Sequence, residues 1–118
     1  SRYIVIGGSG SLYVAKGIQA VDTDTFPEEF KTVARAAKEY YLNHLKNEKT
    51  FEWLYFSPPF EMHTGITTGR TGKYRYGTLN PIFDNTGKCY ISVEDLAVAV
   101  VDEIENKRFN KTIYTVGY

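Results

Sequence analysis

The chain opens on an apolar run, Tyr3-Ile4-Val5-Ile6, that ends in the glycine-rich stretch Gly7-Gly8-Ser9-Gly10-Ser11. An unbroken run of β-branched and aromatic residues bounded by glycines reads as a strand covered on both faces, as in parallel sheets flanked by helices. Leu12-Tyr13-Val14 and residues 18–21 are short extended pieces broken by Gly17. Thr25-Phe26-Pro27-Glu28 then opens a helix, with Thr25 as cap, Glu28 completing a capping box and Pro27 tolerated in the first turn. Phe30, Val33, Ala34, Ala37, Tyr41 and Leu45 recur at helical spacing. They predict one buried stripe on a helix that runs to about Asn47. Residues 51–56 form a second, nearly all-apolar strand, which Ser57-Pro58-Pro59-Phe60 stops. Strand, helix, strand at this spacing is a βαβ unit with a right-handed crossover.

Residues 61–76 read as a loop, with glycines at 65, 69 and 72 and with Arg70 and Lys73 between them. Ile82-Phe83, the turn Asp84-Asn85-Thr86-Gly87 and Cys89-Tyr90-Ile91 suggest a small hairpin. Ser92 caps a second helix whose buried face is expected to carry Val93, Leu96, Ala97, Val100, Val101 and Ile104. Residues 111–116 are a last strand rich in β-branched residues. The predicted class is α/β: three parallel strands, two main helices and a small hairpin in a single domain. In such sheets ligands bind beyond the carboxyl ends of the strands, which draws attention to the Gly7–Ser11 turn.

Two readings of that turn compete. It resembles a dinucleotide phosphate loop, in which a helix N-terminus would hold a pyrophosphate. It also fits a later strand whose loop presents small polar groups to a ligand. The full G-x-G-x-x-G pattern fails, because Tyr13 stands at the third glycine after Gly8 and Gly10. Residues 12–24 also lack a helical period, so the second reading is preferred.

Composition narrows the partners. Fourteen basic and fourteen acidic side chains give a net charge of zero, and no basic run occurs. That argues against nucleic acid or an anionic membrane as partner; the partner expected instead, from the crevice described below, is a small-molecule substrate. A single cysteine, Cys89, leaves no internal disulfide and suggests a reducing, cytoplasmic setting. No apolar stretch is long enough to span a bilayer, and no signal peptide is evident. Because the chain starts one residue before a strand, it is expected to be a trimmed piece of a longer protein. Should that strand lack a neighbour on one side, nothing in it blunts the edge, and a homo-oligomer is expected.

Metal chemistry is poorly supported, since His44 and His63 lie far apart and no Cys/His/Asp cluster has ligand spacing. Gly8-Ser9-Gly10 is not a nucleophile elbow. Cys89 reads as a small buried hydrophobe, and His44 as a partly covered surface residue. What remains is a crevice built from the Gly7–Ser11 turn, the turn at 57–60 and the loop at 65–76. Lys38 would reach it from the edge of the helical stripe.

Strand-G-G-x-G-S, a helix with a mid-helix lysine, strand-S-P, Gly69-Arg70-Thr71-Gly72-Lys73-Tyr74 and Ile91-Ser92-Val93-Glu94-Asp95 follow one another in this order. The order resembles the C-terminal half of atypical short-chain dehydrogenase/reductase-like proteins of the NmrA-like group, which includes NADH–flavin reductases and sugar epimerases. The resemblance implies that residues 2–6, 51–56 and 111–116 are the fifth to seventh strands of a Rossmann-type sheet, with the N-terminal half absent. It implies catalytic roles for Lys38 and for Ser11, with Ser9 as the alternative serine. The family's tyrosine falls on Ala34, which puts ordinary carbonyl reduction in doubt. Cofactor contacts would come from Gly8, Ser9, Lys38, Ser57, Pro58 and Pro59. Phe60, His63, Arg70 and Tyr74 would wall the substrate. NAD or NADP would bind the full-length protein but not this chain alone. The implied function is the substrate side of an NAD(P)H-dependent flavin, quinone or sugar-converting enzyme. The alternative is a non-catalytic NAD(P)-sensing or protein-interaction module.

Overall fold

The computed structural model describes residues 2–118. Strand β1 (Arg2–Ile6) leads through a tight 3-10 turn at Ser9–Ser11 into a small hairpin, β2 (Tyr13–Ala15) and β3 (Ile18–Gln19). Helix α1 (Lys31–Tyr40) continues into a π-type turn at Tyr41–Leu45, followed by β4 (Glu52–Phe56). Then come β5 (Arg75–Gly77), α2 (Val93–Asn106) and β6 (Thr112–Gly117). The main sheet has the order β1-β4-β6-β5. β1, β4 and β6 are parallel, in register from Arg2↔Glu52 to Ile6↔Phe56 and from Leu54↔Thr112 to Phe56↔Tyr114. This is the α/β, Rossmann-type half expected from the sequence.

Strand alternation sends the two faces of the sheet into two cores. Trp53, Tyr55 and Ile113 pack with Leu12, Tyr41 and Leu45 under α1. Leu54, Phe56, Tyr114 and Val116 pack with Ile91 and Ala99 under α2. Helices therefore cover both faces, which is why β4 and β6 read as continuous apolar runs.

Several local expectations are corrected. The hairpin sits at residues 13–19, whereas the stretch at 82–91 forms a turn held by Asp84 N–H to Lys88 O at 2.8 Å, with no ladder. The end of the expected loop at 61–76 is the antiparallel edge strand β5, paired Arg75↔Gly117. Thr25 does not cap α1: its hydroxyl lies 3.3 Å from that of Thr23, and a 3-10 turn at Glu28–Phe30 precedes the helix. Along the expected stripe, Phe30 and Val33 are exposed while Ala34, Tyr41 and Leu45 are buried.

The inward face of α2 is rotated from the apolar stripe. Val93, Val101 and Ile104 are exposed, and Asp95 and Glu103 are buried with Ala99 between them. Donors pull both carboxylates inward. Arg2 donates to Glu103 Oε2 at 3.0 Å and to the carbonyls of Glu103 and Phe109 at 2.6 Å each. At the other end Ser92 caps the helix as expected, accepting from the Asp95 amide at 3.0 Å.

Candidate functional site

Beyond the carboxyl end of β1 lies a groove of about 790 Å³. Its floor is the Gly7–Gly10 turn, one wall is the Phe30, Val33 and Ala37 face of α1, and Ile6, Phe26 and Phe60 close the sides. Local packing fixes the turn. A Cβ on Gly7 would sit 2.0 Å from the Tyr55 ring, and one on Gly10 would sit 3.0 Å from Ala34 and 3.1 Å from Val21. The chain thus runs directly over Tyr55, which excludes a larger residue at Gly7, and close against α1, which leaves little room for one at Gly10. Beneath the floor, the Ser11 and Tyr55 hydroxyls share a hydrogen bond of 2.9 Å, both residues fully buried.

The groove has no charged lining residue. Its polar side chains are the hydroxyls of Ser9, Thr23 and Thr25. The turn leads into three residues of 3-10 helix, so there is no helix N-terminus to offer converging amides to a pyrophosphate. The groove thus offers apolar and aromatic surface with three hydroxyls, and no charged side chain among the described residues.

Of the residues singled out from sequence, Gly8, Ser9 and Phe60 line this groove. Ser11 lies under it. Lys38 does not line it; its ammonium is paired with Asp22 Oδ2 at 2.5 Å. Ser57 is fully buried after β4, its hydroxyl without a hydrogen-bond partner among the described residues. Pro58 and Pro59 follow it, half-buried and buried. His63 is exposed, and its Nδ1 accepts from the Gly65 amide at 3.1 Å. Arg70 lies against the outer face of α2 with Ala97, Val98 and Val101. Tyr74 packs on the α2 side of the sheet, where burial pushes its hydroxyl up to about 12.

The loop at 65–76, expected to form part of the crevice, is fastened to α2. Asp95 Oδ1 accepts from the amides of Thr71 and Gly72 at 2.9 Å each, and Oδ2 accepts from the Thr71 hydroxyl at 2.7 Å and from Tyr118 at 2.5 Å. Ser92 donates to Gly69 O at 2.7 Å. The motifs at 69–74 and 91–95 are therefore two halves of one lock. The residues of the expected buried stripe that line the groove include Phe30 and Val33, both exposed, and the half-buried Ala37. Their helical spacing is the same whether a helix faces a sheet or a cleft. Among the described residues, no helix is long and apolar enough to cross a membrane, and no cluster of three metal-ligating side chains occurs.

No family model matches this chain. Its relatives are informative in another way. The uncharacterised protein YwnB of Bacillus subtilis is 37% identical over 118 residues, covering 98% of this chain. A solved structure described as a putative epimerase from Bacteroides thetaiotaomicron superposes with a TM-score of 0.91 at 40% identity over the whole chain. Another, described as a putative NADH-flavin reductase from Streptococcus pneumoniae, gives 0.87 at 32% identity over 99% of it. This chain spans about half of each: 54%, 53% and 55% of their lengths. It thus resembles one half of NAD(P)-binding-type proteins.

Proposed function

We propose that this chain is the C-terminal, substrate-side part of an NAD(P)H-dependent oxidoreductase. The groove beyond β1 would receive the substrate, and a separate N-terminal part would hold the dinucleotide. The carrying observation is the groove itself. It lies where open α/β sheets bind ligands, it is wide and apolar, and it lacks any partner for a pyrophosphate. The likeness to the streptococcal reductase supports the redox reading. A reducing, cytoplasmic compartment accords with the buried free thiol of Cys89.

A second reading, binding or sensing without chemistry, has its own support. Ala34 stands where the resemblance places a tyrosine proton donor, Lys38 is tied to Asp22, and Ser11 is sealed beneath the turn. The two are separated by supplying this chain with the nucleotide-binding part of a relative and following NADPH oxidation with a flavin or quinone acceptor. Acceptor-dependent oxidation supports the enzyme. NADPH binding without oxidation supports the sensor. Calorimetry on this chain alone should detect no micromolar NADPH binding, and finding it would return Gly7–Gly10 to the role of a phosphate loop.

A further inference from the structure

Glycine is required in a chain either where the backbone takes a positive φ or where a side chain would collide. Nine of the ten glycines either take such a φ or would bring a Cβ into contact tighter than ordinary packing. Gly17, Gly69, Gly72 and Gly87 have φ between 69° and 84°. Gly7, Gly10, Gly65, Gly77 and Gly117 would each bring a Cβ within 3.2 Å of a neighbour. Gly8 meets neither. Its φ of −114° and ψ of 159° are open to any residue, and a Cβ built on it meets no atom within 4 Å. That empty space is the groove, which Gly8 lines.

We infer that Gly8 sets specificity: it keeps the groove floor bare so that a planar, uncharged conjugated ring lies flat on the backbone of residues 7–9. This rests on the groove being the substrate site. The ring follows from the lining. Phe26, Phe30 and Phe60 offer aromatic surface. A formal charge on the ligand would be stripped of water with no counter-charge among the lining residues. The hydroxyls of Ser9 and Thr25 serve the ring's carbonyl groups. A quinone and the isoalloxazine of a free flavin share this chemistry, whereas a nucleotide sugar does not.

The test maps amide NMR shifts of the full chain titrated separately with menadione, riboflavin and UDP-glucose. We expect one of the two rings to move residues 7–10 and 30–37 saturably, and which one does so identifies the source. UDP-glucose should leave them unmoved. Gly8→Leu should weaken ring binding about tenfold or more while the melting temperature stays at the wild-type value. Gly8→Ala, which adds a single methyl, should give a smaller loss in the same direction and covers a failure of the leucine variant to fold. Ring binding unchanged in both variants overturns the role of Gly8. Groove shifts with UDP-glucose and not with either ring overturn the ligand class and leave the groove as the substrate site. Silence of all three probes overturns the inference, and the oxidoreductase reading falls with it only if NADPH oxidation is also absent from the completed protein.

Discussion

Replacing Asp95 should release the 69–74 loop from α2. The carboxylate is fully buried and takes four hydrogen bonds, two from backbone amides and two from hydroxyls. Hydrogen bonds to a charged group contribute about 1.5–3 kcal/mol each, but they are not additive and water recovers part of the loss at the exposed Thr71 and Gly72. Asp95→Ala should therefore cost about 2–4 kcal/mol. Asp95→Asn should cost about 1 kcal/mol, because the amides of Thr71 and Gly72 share Oδ1, which asparagine keeps, and the hydroxyls facing Oδ2 can turn to accept. Burial alone would push this carboxyl up, but the bonds from Tyr118, Thr71 and Gly72 outweigh it and hold the group below its usual range. Its contribution is thus present above the unfolded value of about 3.9 and lost as pH falls through the lower folded one. The gap between wild type and Asp95→Asn should narrow below about pH 4. Urea unfolding followed by the fluorescence of the buried Trp53 reads the stabilities, and limited proteolysis reads the loop. A cost under about 1 kcal/mol for the alanine variant, with the loop still protease-resistant, would refute the lock.

Three further outcomes are expected. Gly7→Ala should lower the melting temperature severely, and Tyr55→Val in the same chain should recover part of the loss, since the added Cβ overlaps the ring atoms that valine lacks. Arg2→Ala should cost about 3 kcal/mol by leaving buried Glu103 with only the more distant Arg108, 3.9 Å away, as counter-charge, and a double variant Arg2→Met/Glu103→Leu should lie closer to wild type, as a double-mutant cycle in urea would show. The edge of β1 that faces away from β4, together with exposed Tyr3 and Ile6, should make the chain dimeric in light scattering at micromolar concentration, and Ile6→Lys should return it to monomer.

The three parallel strands were legible because burial on both faces makes their apolar runs unbroken. Ser92 was legible because its side chain acts on amides of its own turn. The inward face of α2 was not, since the buried positions include Asp95 and Glu103, and apart from the Phe109 amide on Glu103 the groups that hydrogen-bond these carboxylates come from residues 23 or more positions away. Hydrophobicity alone assigns such carboxylates to solvent. The strand β5 was hidden in a glycine-rich loop, because three residues of alternation carry little signal. At the site, Gly8, Ser9 and Phe60 were found from the turn that follows each strand. Lys38 was placed at the crevice from the edge of the helical stripe, Arg70 and Tyr74 by the resemblance, and the contacts of all three lie outside the groove.

Helix α2 is tied to Arg2 near its last turn and to Tyr118 at its first. These residues stand at opposite ends of a parallel sheet, Arg2 as the first residue of β1 and Tyr118 just past β6. Tension applied between them would pull β1, β4 and β6 in shear, so that the ladder bonds share the load and do not open one at a time. The helix would act as a diagonal brace across the same span. Stretched in an optical trap from residues 2 and 118, the chain should therefore yield at higher force than when pulled across β5, whose three-residue pairing would unzip first.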